Sequence, residues 1–254
     1  MVTGASAGIG REFSEQLAAL GMNLVLVART GPALEALGRE LATRSGIRTL
    51  AVPLDLADAS AVGRLRERTA EAGVRIRLLV NNAAIGHWGA AEARDARFTD
   101  GMVQLNVAAP VQLCLAFLPD LAAQAPSAII NVSSPAALQP VPYMATYAAS
   151  KAFLSSFSQA LHGEWGARGI VVQTLVPGPT ETEFDRHAGA PQNVGARVPP
   201  RGVVADSLAS LERGDPVVWS ARGTFKQRLF AGLAPPRMVI REVAKMFKPP
   251  TSTS

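Results

Sequence analysis

The sequence predicts an α/β protein: a doubly wound parallel sheet with helices on both faces, forming a single domain. Three observations carry that reading. Short apolar runs rich in Val, Ile and Leu recur at residues 22–27, 48–53, 75–80, 128–132 and 170–176. Longer stretches with helical periodicity separate them, at about 8–20, 31–45, 58–72, 96–122 and 146–167. A glycine-rich turn stands at the first junction, over residues 3–10. Continuous apolar strands alternating with helices indicate βαβ units, whose sheet is covered on both faces. Ligands in this architecture bind beyond the carboxyl ends of the strands, so functional residues are expected there.

The bulk properties narrow the partners. The chain has 254 residues, 48% of them hydrophobic, a net charge of +5 and a pI near 10.0. Lys and Arg are scattered rather than clustered among stacking aromatics, so the charge reads as solvated surface and not as a nucleic-acid site. No run is expected to reach the roughly 18–20 apolar residues that span a bilayer, and the N-terminus lacks a secretory pattern. The single cysteine, Cys114, excludes an internal disulfide framework and suits a reducing, cytoplasmic setting. It lies in an apolar run and reads as a buried small hydrophobe.

The elements follow in order. Only Met1, Val2 and Thr3 precede the first glycine, whereas a central strand usually runs about five or six residues. The expectation is a truncated first strand or a start further upstream, with lower stability for the chain as it stands. Gly4, Gly8 and Gly10 then lie between this strand and a helix beginning near Ile9, with Ser6 inside the turn. Glycines there permit the sharp turn and a close backbone approach to a pyrophosphate, and the helix N-terminus favours the anion. About twenty residues further on, NAD-binding folds place an acidic residue for the ribose diol. This second strand ends instead in Val27-Ala28-Arg29-Thr30. Arg29 suits the 2′-phosphate of NADP through charge-assisted hydrogen bonds of about 1.5–3 kcal/mol each, with Ser6 and Thr30 as hydroxyl donors. The expected cofactor is therefore NADP(H) rather than NAD(H).

Tyr147 and Lys151 stand at i and i+4, on one face of the helix over 146–167. Reduction of a carbonyl needs a proton donor, and the reverse reaction needs a base. A tyrosine's ordinary pKa of about 10 is high for that work, and a neighbouring ammonium is expected to lower it. Ser134 lies thirteen residues before Tyr147, just after the strand over 128–132. Tyr143 is a rival tyrosine, but no lysine lies four residues after it.

The glycine spacing TGxxxGxG, the YxxxK pair and the serine before it resemble the short-chain dehydrogenase/reductase family. That resemblance covers about residues 3–182 and extends to further positions in order. It implies that Asp55 and Leu56 contact the adenine and that Asn82 and Ala83 border the cofactor, in a turn where Ala84 replaces the usual glycine. It implies that Pro177, Gly178, Thr180 and Thr182 hold the nicotinamide carboxamide. Thr180 stands where an apolar residue is usual, and Ala7 where NADP-preferring members often carry a second basic residue. It assigns Asn106, Ser134, Tyr147 and Lys151 as a catalytic tetrad. Asn106 carries a relay water, Ser134 rather than Ser133 holds the substrate oxygen, and Lys151 also holds ribose.

The expected function is NADP(H)-dependent interconversion of a small-molecule carbonyl compound and a secondary alcohol. The alternative is a catalytically silent NADP(H)-binding sensor or scaffold of the same fold. By resemblance the chain forms a homodimer or homotetramer through the helices containing Asn106 and Tyr147. Residues 183–200 read as a substrate lid and 203–248 as a helical extension, with a short strand near 216–219 and two terminal helices. The basic residues Arg222, Lys226, Arg228, Arg237, Arg241, Lys245 and Lys248 accompany apolar neighbours there. They fit helices packed on their own domain, with membrane-surface contact as the rival reading. His87, His162 and His187 fit no metal-ligand spacing, and no metal is expected. His87 and Trp88 could border the substrate pocket, whereas Glu181 and Glu183 read as solvated charges and Trp219 as packing.

Overall fold

Alternation of side chains along the strands builds the two faces of the sheet in the computed structural model, which describes residues 1–189, 197–220 and 232–249. Strands β1 (Val2–Thr3), β2 (Leu24–Ala28), β3 (Thr49–Pro53), β4 (Leu78–Asn81), β5 (Ser127–Val132), β6 (Ile170–Val176) and β7 (Val217–Trp219) are all parallel. Their order is β3-β2-β1-β4-β5-β6-β7, a parallel sheet as expected. Val25 and Val27 point to one face, where they pack with Leu65, Leu113, Phe117 and Trp165. Leu24 and Leu26 point to the other, against Phe13, Leu17, Leu37 and Val203. Each large side chain so buried contributes about 1.5–3 kcal/mol.

Helices α1 (Gly8–Ala19), α2 (Gly31–Ser45) and α8 (Pro200–Glu212) cover the second face; α3 (Ala61–Glu71), α5 (Ala109–Ala123) and α6 (Ala145–Trp165) cover the first. Between α3 and α5 lies α4 (Ala96–Val103), and a short α7 (Phe184–Ala188) follows β6. The last described helix is α9 (Pro236–Phe247). A π-helical turn over Gln104–Ala108 joins α4 to α5 without a break.

The resulting helix corrects one expectation. From Ala96 to Ala123 it has 28 residues, and an 18-residue window within it has a mean hydropathy of 1.5, long and apolar enough to cross a membrane by length and composition. Its apolarity has a local use, since Met102, Leu105, Leu113, Cys114, Phe117 and Leu121 are all buried. A helix lying against a parallel sheet under a neighbouring helix is apolar over much of its circumference.

The short β1 is held at the centre of the sheet, with Val2 paired to Leu26 on one side and Val80 on the other. The Met1 α-amino group is buried and donates to the Leu78 carbonyl at 2.7 Å. Burial pushes its pKa down to about 5. The segment expected as a lid, 183–200, contains the short helix α7, but residues 190–196 lie outside the described residues. So do 221–231, which include Arg222, Lys226 and Arg228 and the first of the two expected terminal helices. In α9, Val239 and Val243 are buried in a third cluster with Met102, Met144 and Tyr147, while Arg237 and Arg241 are exposed. That helix packs on its own domain.

Candidate active site

The first βα junction has the geometry of an anion cradle. Gly4 and Gly8 have φ of 64° and 54°, a region that L side chains rarely adopt. A Cβ on Gly10 would stand 2.2 Å from the Gly4 carbonyl oxygen, so the turn closes only with glycine there. Ala7 caps α1 without any side-chain hydrogen bond. The first-turn N–H donors of α1, from Gly8, Ile9 and Gly10, are thus left for a ligand. The residues present fit the diphosphate of a dinucleotide. Gly8 also lies against the Thr182 methyl group, where an added Cβ would come within 3.0 Å. Sheet closure therefore brings together two motifs that are far apart in sequence.

Asn82 supports this turn instead of reaching across it. Its side-chain amide donates to the Thr3 carbonyl at 3.0 Å and to Gly4 at 3.3 Å. The N–H groups of Asn82 and Ala83 both donate to the Thr3 hydroxyl, at 3.0 and 3.1 Å. Thr3 is a positioning residue that the sequence reading passed over. Ala84 is tolerated because its φ is negative: Tyr143, at 67°, is the one non-glycine residue with positive φ among the described residues.

Around the turn, Arg29 and Thr30 are exposed at the end of β2, and Arg29 has no ion-pair partner among the described residues. Asp55 is exposed past β3 and accepts the Ala57 N–H at 3.0 Å, while Leu56 is buried. Ser6 is half-buried in the turn. Beyond β6, the buried Thr180 spends its hydroxyl on the Gly178 carbonyl at 2.8 Å, which explains a polar residue at an apolar position. Pro177 and Gly178 lead into this loop. The Thr182 hydroxyl accepts the Phe184 N–H at 3.3 Å and so starts α7.

The reactive side chains converge at the carboxyl edge of β4 and β5. Tyr147 and Lys151 lie one turn apart on α6, both buried. The ammonium of Lys151 is 5.8 Å from the Tyr147 ring centre and donates to the Val132 carbonyl at 2.8 Å. The Ser134 hydroxyl accepts the Ala136 N–H at 3.1 Å, and its influence on the neighbouring phenol is to pull the Tyr147 pKa down. Extended backbone at Ser134, with φ −161° and ψ 155°, sends adjacent serines to opposite sides. Ser133 accordingly turns into α6 and donates to the Lys151 carbonyl at 3.0 Å, leaving Ser134 as the serine on the phenol.

Electrostatics here differ from the expectation that Lys151 lowers the Tyr147 pKa. Burial pushes the phenol up to about 12; the Ser134 hydrogen bond pulls it down, and the Asp185 carboxylate pushes it up again. Burial also pushes Lys151 down to about 8. Desolvation, which disfavours the charged form, is the largest effect on both groups; Lys151, at about 8, still carries its charge at pH 7.

Asn106 stands in the π-helical turn with its side chain fully engaged. Its oxygen accepts the Ile85 N–H at 3.0 Å, and its amide donates to the Ile85 carbonyl at 2.9 Å and to the Ser150 hydroxyl at 3.1 Å. The side chain thus pairs like a short strand with the segment leaving β4. Ser150, Val132 and Ser133 were not singled out from the sequence, and a main-chain carbonyl such as that of Val132 leaves no signal there. The segment after β6 approaches the phenol. The Phe184 ring lies 5.2 Å from that of Tyr147, and Asp185 pairs with Arg197 at 2.9 Å.

Comparison with known proteins decides what this edge belongs to. The family model for short chain dehydrogenases matches residues 1–193. The chain belongs to the short-chain dehydrogenase family. It is 30% identical over 181 residues to the very-long-chain 3-oxoacyl-CoA reductase of Homo sapiens, covering 70% of this chain and 57% of that protein. The Podospora anserina protein of the same name is 36% identical over 179 residues, covering 69% and 53%. The chain therefore spans somewhat over half the length of these relatives. Among solved structures, a short-chain dehydrogenase from Sphingobium yanoikuyae in complex with NADPH superposes with a TM-score of 0.83 at 28% identity, covering 100% of this chain and 96% of that one. The bulky-bulky ketone specific alcohol dehydrogenase from Comamonas testosteroni gives 0.79 at 27%, covering 100% and 95%.

Proposed function

We propose that this short-chain dehydrogenase interconverts a ketone and its secondary alcohol with NADP(H), with Tyr147 exchanging the proton. One observation carries the reading: a buried phenol, one helical turn from the buried Lys151 with its ammonium 5.8 Å from the ring centre, stands at the sheet edge that also carries the glycine cradle. A nicotinamide bound there supplies or accepts the hydride. Ser134 orients the substrate oxygen against the Tyr147 hydroxyl. As the carbonyl carbon gains hydride, its electron pair moves to oxygen, which takes the phenolic proton. Lys151 stabilises the phenolate left behind, and its remaining N–H donors face the cofactor ribose. The main chain of the π-helical turn at Asn106 carries the water that returns a proton, since the Asn106 side chain is committed to Ile85 and Ser150. Arg29 selects the 2′-phosphate of NADP(H).

The substrate we infer has apolar flanks, because Met102, Val141, Met144 and Val239 pack around Tyr147. The 3-oxoacyl and bulky ketone compounds in the names of its relatives fit that lining. Exposed Val103 and Leu115 on the helix of Asn106 and Phe153 on α6 support assembly as a homodimer or homotetramer through those two helices.

Two variants test the reading. Tyr147→Phe is expected to reduce NADPH-dependent ketone turnover by about 10²–10⁴-fold while thermal shift by NADPH persists; turnover at the wild-type rate would overturn the assignment. Arg29→Asp is expected to reverse the preference for NADPH over NADH by at least an order of magnitude in Kd. A wild-type protein that binds NADPH but turns over no carbonyl compound would favour the silent sensor.

A further inference from the structure

Helix α7 sets an aromatic ring directly beside the reactive phenol. The rings of Phe184 and Tyr147 are 5.2 Å apart at a tilt of 41°. The tip of Phe184 also reaches the main chain leaving β4. A Cβ added to Gly86 would stand 2.7 Å from Phe184 Cζ and 3.4 Å from Tyr147 Cδ2. Gly86 is not among the glycines with positive φ, so glycine is needed there for space and not for backbone freedom. Its missing side chain leaves a notch, and the Phe184 ring is seated in it.

Three tethers fix the position of that ring. The Thr182 hydroxyl accepts the Phe184 N–H at 3.3 Å, Asp185 pairs with Arg197 at 2.9 Å, and the Trp88 N–H donates to the Ala188 carbonyl at 2.8 Å. Thr182 in turn lies against Gly8 of the cradle, so α7 is braced both by the phosphate turn and by the segment after β4. Phe184 itself is only half-buried, whereas Met102, Met144 and Val239 in the same cluster are buried. A half-buried ring tethered beside the phenol bounds an open space instead of filling the core. Pushing it aside gives up its apolar contacts and strains the bonds that hold α7.

We propose that Phe184, seated on Gly86, limits the size of one flank of the ketone, so that the preferred substrates are methyl ketones and the secondary methyl carbinols they give. The proposal rests on the ketone reading of Tyr147. The apolar lining around the phenol accepts a large flank. A carbonyl carbon held over Tyr147 carries two flanks in fixed directions, however, and the one directed toward α7 meets the Phe184 ring. The smallest flank a ketone can have is a methyl group, and each further methylene must press on a tethered ring. Phe184 is thus a specificity residue that touches the substrate and takes no part in proton transfer.

2-Nonanone and 5-nonanone are isomers, one with a methyl flank and the other with a butyl group on each side. The quantity to measure is kcat/KM for 5-nonanone divided by that for 2-nonanone, with NADPH, in wild type, Phe184→Leu and Phe184→Ala. Comparing this ratio between proteins cancels the intrinsic reactivities of the two ketones and any general effect of a variant on turnover. Wild type is expected to favour 2-nonanone by about tenfold or more, and the ratio to rise by about 10- to 100-fold in Phe184→Ala, with Phe184→Leu between. A ratio that stays constant across the three proteins, or a wild type that favours 5-nonanone, would overturn the proposal and make α7 a flap that moves aside whole. Thermal shift by NADPH reports whether each variant is folded; should Phe184→Ala not fold, the ratio in Phe184→Leu decides alone. Failure of the ketone reading looks different: neither isomer turns over in any of these proteins, and the proposal falls with it.

Discussion

Two buried polar clusters lie along the same helix and do opposite things. Toward the C-terminal half of α6, Ser158 meets Asn131 at 2.8 Å, Asn131 accepts from Asn81 at 2.8 Å, and Asn81 reaches the Cys114 sulfur at 3.5 Å. These groups are neutral or nearly so, and burial pushes the Cys114 thiol up to about 12, with the Asn131 and Asn81 amides pulling it down. Two turns earlier, Tyr147 and Lys151 are equally buried, but they are ionisable and meet few protein partners: Ser134 for the phenol and Val132 for the ammonium. The first cluster pins β4 and β5 to α5 and α6. The second is held in place by that pinning and keeps hydrogen-bonding capacity in reserve for ligands. The contrast teaches that burial of polar groups, even with an unpartnered atom such as Asn81 Oδ1 in the first cluster, is not itself a functional signal; what distinguishes the site is ionisable groups held on a fixed frame.

The sharpest way to break the comparison is Lys151→Met. Activity is expected to fall by about three orders of magnitude, while stability at pH 7 rises, because a buried cation is removed. Chemical denaturation would also show a change of pH profile. Lys151 has a folded pKa of about 8 against 10.5, so the folded state holds fewer protons there and wild-type stability climbs as pH rises from 8. Between pH 8 and 10 the gain is on the order of 2–3 kcal/mol, and it should vanish in the variant. The Met1 amino group, at about 5 against 8.0, has the same sign one window lower. Its contribution is full above pH 8 and is lost as pH falls through 5, so residues placed before Met1 should flatten that part of the curve.

Asn131→Ala tests the other cluster. It strands the Ser158 hydroxyl and the Asn81 amide, and the expected loss is about 2–3 kcal/mol of stability, with the NADPH affinity of the folded protein unchanged. A variant as stable as wild type that failed to turn over ketone would erase the division between frame and site. The smallest effect is expected from Cys114→Ala. About 1 kcal/mol of stability should go with the lost sulfur and turnover should persist, while the wild-type thiol in the native state resists alkylation because it is buried and protonated.

Reading the chain alone found the fold through periodicity, and the cradle and the Tyr147–Lys151 pair through spacing, because each depends on neighbours within a few residues. It erred where distant parts set the outcome. The sequence reading took Lys151 as a group that lowers the Tyr147 pKa, yet the depth of both residues under α7 and α9 makes desolvation the larger effect. By resemblance Asn82 borders the cofactor and Asn106 carries a relay water; packing adds that Thr3, Gly4, Ile85 and Ser150 hold their amides. The sequence reading left His87 as a residue that could border the substrate pocket, since a lone histidine has no pattern to place it until Arg94 and Gly89 are seen around its ring.

What the sequence determined by itself was local and repetitive: parallel strands alternating with helices, a glycine turn that no other residue closes, and a phenol and an ammonium one helical turn apart. Only the tertiary structure decided which groups those side chains meet. Trp88 donates to the Phe247 carbonyl at 2.7 Å, bringing α9 over the site from 159 residues away, and Lys151 finds Val132 only once β5 and α6 pack. Backbone geometry follows from neighbouring residues, whereas burial, and with it the protonation of Tyr147 and Lys151, depends on every element that excludes water from them.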